Sequence, residues 1–351
     1  MSVDAHGLDT QTVSQPAHRE PAKAFGIRDG ERRGEDAITT QPRAHPWGTS
    51  RHRNTPSVSL WRGATLHCKF IERGSGMTDS ASAPSVGIGG VPETALITLY
   101  NRACEASRAD GLLHDPLATA LMDELTFPFR ERFGAPDQAH AVRARQYDAE
   151  IADFLRTNPG ATVVSLGEGL ETQLWRAGDG AGRWISVDVP EMIDARRRLL
   201  PRDPRNILVP GSAWDFSWMT QVRGDPRVLI IAQGLLMYFP EREVEHLLGG
   251  LVSAFPGGRL IFDTIPSWAV TTTKGHRSAS GYRLPAQPWG AGPSGLRTLL
   301  HRVGIRHWRR VPAPAGRGFF WGRCYPTITR LLPGIAPMVV AADLEDSSRP
   351  L

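Results

Sequence analysis

Cysteine is scarce in this chain: Cys68, Cys104 and Cys324 are all that 351 residues contain. An odd number at those spacings matches neither a disulfide framework nor a zinc site, and it suits a reducing compartment. The chain is therefore read as cytoplasmic, with chemistry that rests on neither thiols nor metal. Long apolar runs are missing too; nothing approaches the ~20 residues that a membrane-spanning helix needs. The opening MSVDAHGLDTQTVSQ lacks the basic stretch and apolar stretch of a signal peptide. Nor is there a strong excess of one charge. The chain holds 41 Lys and Arg against 36 Asp and Glu, a net of +5. Residues 1–76 carry 11 against 8, which leaves 30 against 28 for residues 77–351. A body so nearly balanced offers no electrostatic footprint for nucleic acid.

What is present begins with composition. At 40% hydrophobic and 22% charged, the chain can bury a substantial core. Residues 1–91 differ from the rest. They are rich in Arg, His, Pro, Ser, Thr and Gly and have no sustained apolar period, so they read as a disordered extension or a stretch not normally translated, with Met77 as an alternative start. One short strand within RHRNTPSVSLWRGATLHCKF is the most they offer.

From residue 92 the pattern changes. ETALITLYNRACEASR places Ala95, Leu96, Leu99 and Ala103 at helical spacing. DPLATALMDEL starts on Asp115, a good N-cap, with Pro116 in the first turn. AHAVRARQYDAEIADFLRTNPG predicts a long helix closed by Asn158-Pro159-Gly160. Strands follow at 161–167, 183–189, 205–211, 227–234 and 258–264. Helices are expected between them at 170–178, 190–200, 214–222 and 240–254. Such alternation predicts a mostly parallel twisted sheet with helices on both faces. The domain reading is a helical cap over 92–160, a core over 161–264, a lid or substrate loop over 265–292, and a helix with an antiparallel hairpin over 293–325. Residues 326–351 are left as an unassigned tail.

In such a sheet, ligands sit beyond the carboxyl ends of the strands. Strand one ends in Gly167-Glu168-Gly169, whose glycines let backbone approach a ligand closely. Asp188 closes strand two, 21 residues after Gly167, where a carboxylate would accept hydrogen bonds from ribose hydroxyls. Strand three ends in Ser212-Ala213-Trp214-Asp215, strand four in Gln233-Gly234, and strand five in Asp263. This pattern fits an adenosine-type cofactor, either NAD or S-adenosylmethionine. The helices before strand one and the absence of a second fingerprint feature for pyrophosphate lean toward the latter.

VVSLGEGLETQLWR, WISVDVPEMI, AQGLLMYF and LIFDTIP, preceded by HDPLA and VRARQYD, resemble the leucine carboxyl methyltransferase-like family. This group includes bacterial polyketide-pathway O-methyltransferases. The resemblance spans about residues 92–325 and implies a Rossmann-like class I methyltransferase fold that uses S-adenosylmethionine. It further implies that Gly167 and Gly169 line the methionine part of the cofactor, that Asp188 holds the ribose, and that Ser212 and Ala213 flank the adenine, with Asp215 beside them. Arg143 matches the arginine that pairs with the cofactor carboxylate, and Arg102 a second basic position near it. Gln233 stands where most members have Glu, close to the reacting centre. Glu171-Thr172-Gln173 stands where Asp-Thr-Arg is common.

Each of these residues also has a plainer reading. The glycines suit a simple turn, Asp188 a helix cap, Arg143 a solvated helix face, and Asp263 a structural group. Tyr238, Tyr282 and Trp289 are candidates to line the acceptor pocket, or are ordinary packing residues. His114 and His276 are distant suspects for a base, which a carboxylate acceptor would not need. The expected activity is O-methylation of a carboxylate or phenolic hydroxyl on a polyketide-like small molecule. A protein C-terminal carboxyl methyltransferase and a non-catalytic cofactor-binding homologue are the alternatives.

Overall fold

The computed structural model describes residues 93–222, 225, 227–273, 282 and 284–344, without the side chains of 271–273. The extension expected over 1–91, Met77 within it, and His276 lie outside the described residues.

The helical cap forms as its apolar spacing dictates. Helix α1 (Glu93–Ala106) buries Leu96, Leu99 and Ala103. Helix α2 (Pro116–Glu124) starts where Asp115 accepts a hydrogen bond from the Ala118 N–H at 3.1 Å. A short helix α3 (Phe129–Phe133), absent from the sequence reading, stacks its two phenylalanines on Tyr100 of α1. Helix α4 (Ala139–Thr157) runs back to the sheet, closed by Asn158.

Strands β1 (Thr162–Leu166), β2 (Arg183–Asp188), β3 (Asn206–Pro210), β4 (Val228–Ala232) and β5 (Arg259–Thr264) fall within a residue or two of expectation. Helices α5 (Gln173–Ala177), α6 (Pro190–Leu199) and α7 (Glu241–Ala254) lie between them. The segment expected as a helix at 214–222 is only a 3-10 turn, Ser217–Gln221. Five-residue strands of Val, Ile and Leu, buried on both faces, are what a central parallel sheet requires.

The carboxyl-terminal part departs from the sequence reading. The stretch 265–292 is not all loop, because helix α8 (Ser267–Thr273) opens it. Helix α9 (Pro293–Arg302) and strand β6 (Trp308–Val311) form as expected. The second hairpin strand, placed on the aromatic stretch up to Cys324, is instead helical: a π-turn at Phe320–Cys324 runs into helix α10 (Tyr325–Leu331). The partner of β6 is β7 (Met338–Asp343), from the stretch left unassigned. Aromatic residues raise strand propensity, but burial on a pleated face decides it. MVVAAD has that burial, whereas Phe319 is 76% exposed.

The sheet order is β3-β2-β1-β4-β5-β7-β6, parallel except for β7, which runs antiparallel to both β5 and β6. One apolar layer packs α7 and α9 on one face; the other packs α4 and α5 on the opposite face. Strand order reverses between the parallel strands β1 and β4, so the crevice beyond their carboxyl ends is where a ligand fits.

Candidate functional site

Glycine geometry sets the first wall of the crevice. Gly167 and Gly169 have φ of 61° and 57°, left-handed values that side chains disfavour. A Cβ on Gly167 would come 2.7 Å from Leu235, and one on Gly169 would come 3.2 Å from Ala95. The loop is held from behind by residues that the sequence reading passed over. Buried Glu168 accepts from the Trp184 indole at 3.0 Å and pairs with Arg196 at 3.1 Å. Arg196 also donates to the carbonyls of Gly169 and Glu171. The Glu168 and Arg196 of this clamp lie 28 residues apart in sequence, and nothing in their spacing announces it.

Asp188 stands at the next strand end. Its carboxylate accepts from the N–H of Gly169 at 2.7 Å and of Val189 at 2.8 Å. Burial pushes its carboxyl up, and these two N–H groups hold it back. A carboxylate offers about four acceptor directions, so room remains for hydroxyl donors. Ser212 is exposed, and its hydroxyl accepts from the Trp214 N–H at 3.2 Å. Ala213 is buried beside it. Asp215 is exposed, its carboxyl lowered by hydrogen bonds from Ser217.

The third wall gathers around Asp263. This buried carboxylate accepts from the Gly234 N–H at 2.5 Å, the Tyr147 hydroxyl at 3.0 Å and Arg143 at 3.1 Å. The plainer reading of Asp263 is therefore the right one: it fixes Gly234 and Arg143. The Arg143 Nε is buried without a partner, and a buried donor of this kind calls for an acceptor. Tyr238, in the 3-10 turn after β4, stands near enough to feel the Arg143 charge. Burial raises its hydroxyl, against a hydrogen bond with Gln287.

Beneath the crevice lies a charged cluster. Asp115 accepts from Thr172 at 2.8 Å, Arg176 at 2.9 Å and Arg102 at 3.3 Å. Arg102 is wholly buried, and its guanidinium also holds Glu171 and the Leu170 carbonyl. Expected at the cofactor carboxylate, Arg102 instead braces the loop from within, because two buried carboxylates compete for its nitrogens. Burial would raise the Glu171 carboxyl, but Arg102, Arg176 and Arg143 outweigh it and hold it at about 2. From an ordinary 4.5, that depression corresponds to ~3 kcal/mol of stability, present above pH 4.5 and lost as pH falls toward 2. Burial-raised Glu168, Asp148 and Asp188 act in the opposite sense. The clean measurement is thus the stability gap between wild type and Glu171→Gln, which should shrink on acidification across that window.

The departures from the family pattern meet here. The Gln173 amide donates to Gln233 at 2.7 Å, and Gln233 donates to Glu171 at 2.9 Å. Three residues far apart in sequence thus form one chain of hydrogen bonds at the end of β4. Tyr282 and Trp289 turn out to be packing residues. Tyr282 is 2% exposed, edge-on to Phe133 at 5.1 Å and under Arg132. Trp289 is 3% exposed within the apolar layer of α7 and α9. His114 is exposed at the start of α2. Among the described residues, no group of His, Cys, Asp and Glu could hold a metal ion, and no helix is long and apolar enough to cross a membrane.

Comparison with known proteins joins this geometry to a family. The profile described as leucine carboxyl methyltransferase matches residues 95–252, from α1 to the end of α7. Over that stretch the chain resembles the leucine carboxyl methyltransferase family. It is an S-adenosylmethionine-dependent methyltransferase with the class I sheet. It is 29% identical to the tetracenomycin polyketide synthesis O-methyltransferase TcmP of Streptomyces glaucescens, over 66% of this chain and 87% of that one. It is 30% identical to the S-adenosyl-L-methionine-dependent methyltransferase dpfgK of Gibberella zeae, over 48% of this chain and 63% of that one. Human N-acetylserotonin methyltransferase in complex with SAM aligns over 71% of this chain and 72% of its own, at 13% identity and a TM-score of 0.40.

Proposed function

We propose that this methyltransferase acts on oxygen, and that its acceptor is the carboxylate of a polyketide-like small molecule. One observation carries the choice of acceptor: the acidic and phenolic groups at the crevice are already committed. Asp263 is held by Arg143, Tyr147 and the Gly234 N–H; Glu171 is held by Arg102, Arg176 and Gln233. Tyr238, raised by burial, keeps its proton at neutral pH. A carboxylate acceptor arrives ionised and needs no base, whereas an alcohol would need one. The printed name of the Streptomyces glaucescens relative, a polyketide-synthesis O-methyltransferase, supports the same reading.

The residues present fit the cofactor. Gly167 and Gly169 leave a cradle that a Cβ would fill, Asp188 has acceptor directions to spare for ribose hydroxyls, and Arg143 has an unpartnered buried donor suited to a carboxylate. Ser212 and Ala213 would flank the adenine. S-adenosylmethionine, when bound, supplies an electrophilic methyl group on a sulfonium. The chain's own task is then to position and to exclude water. Gln233 is fixed by Gln173 and Glu171 at the end of β4, and Tyr238 offers a donor to an acceptor oxygen.

Two measurements test this reading. Asp188→Ala and Arg143→Ala should each weaken binding of S-adenosylhomocysteine at least tenfold by calorimetry, consistent with loss of charge-assisted hydrogen bonds. Unchanged affinity in either variant removes that residue from the site. Incubation with methyl-labelled cofactor should label aromatic acids as base-labile methyl esters. Label confined to alcohols would overturn the carboxylate assignment.

A further inference from the structure

Two separate elements lead from the Arg143–Asp263 pair to a cavity of about 330 Å³ that none of the roles above uses. Along α4, Gln146 lies one turn past Arg143 and lines the cavity. Across the sheet, Asp263 pairs with Val339, and the adjacent Met338 lines it as well. These positions put the cavity beside the elements that carry the pair. The volume falls within the range of small-molecule sites, which starts near ~300 Å³.

The lining is mostly apolar, with two cations and the polar Gln146 and Thr329. Ala313, Leu332 and Met338 supply hydrocarbon, and Arg310 and Arg330 stand among them. Arg102, Arg143, Arg176, Arg196 and Arg309 are each paired with a carboxylate. Among the described residues, Arg310 and Arg330 have no such partner. Two free guanidiniums at one apolar hollow form a receptor for an anion carried on a hydrophobic body. Helix α10, which carries Arg330, buries none of its own residues, so this wall is lightly held and can adjust to an occupant.

We infer that this cavity is the distal half of the acceptor site. Arg310 and Arg330 bind a second acidic group of a flat, apolar diacid, while its reacting carboxylate lies toward Tyr238 and Gln233. The inference rests on the carboxyl-methyltransferase reading above, and adds that the acceptor carries two acidic groups separated by a hydrophobic frame.

The test uses the full chain and direct binding. Naphthalene-2,6-dicarboxylate and 2-naphthoate are titrated with S-adenosylhomocysteine present. The dicarboxylate should bind at least tenfold more tightly. Arg310→Gln combined with Arg330→Gln should erase that preference and leave S-adenosylhomocysteine affinity unchanged. Ala313→Trp, which fills the hollow without touching charge, should cost the dicarboxylate at least tenfold. Equal binding of the two acids by wild type overturns the inference, as does a preference that survives either variant. Absence of any S-adenosylhomocysteine binding, with the diacid preference intact, would instead strike at the methyl-transfer reading and leave the diacid site standing.

Discussion

Replacing Asp115 by alanine is expected to cost about 3–5 kcal/mol of folding stability, the range for removing one partner of a buried ion pair. Asp115 is 1% exposed and Arg102 is 0% exposed. One carboxylate caps α2 through Ala118, takes the Thr172 hydroxyl and neutralises Arg102 and Arg176. Without it, two guanidiniums remain buried with only Glu171 and Asp148 to balance them. Asp115→Asn keeps the cap but not the charge, and should lose roughly half as much. Denaturant unfolding at constant m-value measures both. A loss under ~1 kcal/mol for the alanine variant would show that the cluster contributes little net stability, as some buried ion pairs do.

A second large effect is expected from the glutamine pair. Gln233→Glu alone places a carboxylate where the Gln233 amide now donates to Glu171 at 2.9 Å. Like charges at that distance cannot both stay ionised, so the variant should lose ~2 kcal/mol and bind a proton near neutral pH. Gln173→Arg alone adds a buried cation facing an amide, at similar cost. Together they install the Arg and Glu that the family resemblance implies at these positions. The double variant should therefore recover about 2–3 kcal/mol relative to the sum of the singles, near the upper end of measured pairwise couplings. Additive losses would show that the two positions do not act as a unit.

That pair illustrates what sequence reading reaches and where it stops. Gln173 and Gln233 stand out as two separate departures in GEGLETQ and AQGLLMY. Their contact becomes visible only when β1 and β4 lie side by side and the turns after them converge. Asp188 stands out in the sequence because it closes an apolar strand at a fixed distance from a glycine turn, and the structure adds its bond to the Gly169 N–H. The partner of Arg143 could not be read, since Asp263 comes 120 positions later. Glu168 and Arg196 were missed: a buried ion pair between the loop after β1 and helix α6, which follows β2, has no periodic signature. For Tyr282 and Trp289 the Pro/Gly-rich stretch left pocket lining and ordinary packing both open, and the structure buries them, Tyr282 against Phe133 and Trp289 within the apolar layer of α7 and α9.

The carboxyl-terminal hairpin shows the same limit. Local propensity favoured a strand in the aromatic stretch, but packing against the existing sheet decided which stretch became one. MVVAAD supplies that packing and the aromatics do not.

The sequence by itself determined the alternation of strands and helices, the glycine turn, the acidic strand ends and the near-neutral body, because these depend on local periodicity and spacing. Only the tertiary structure decided which arginines are committed to carboxylates and which stand free, because pairing in a buried network depends on elements brought together from distant parts of the chain.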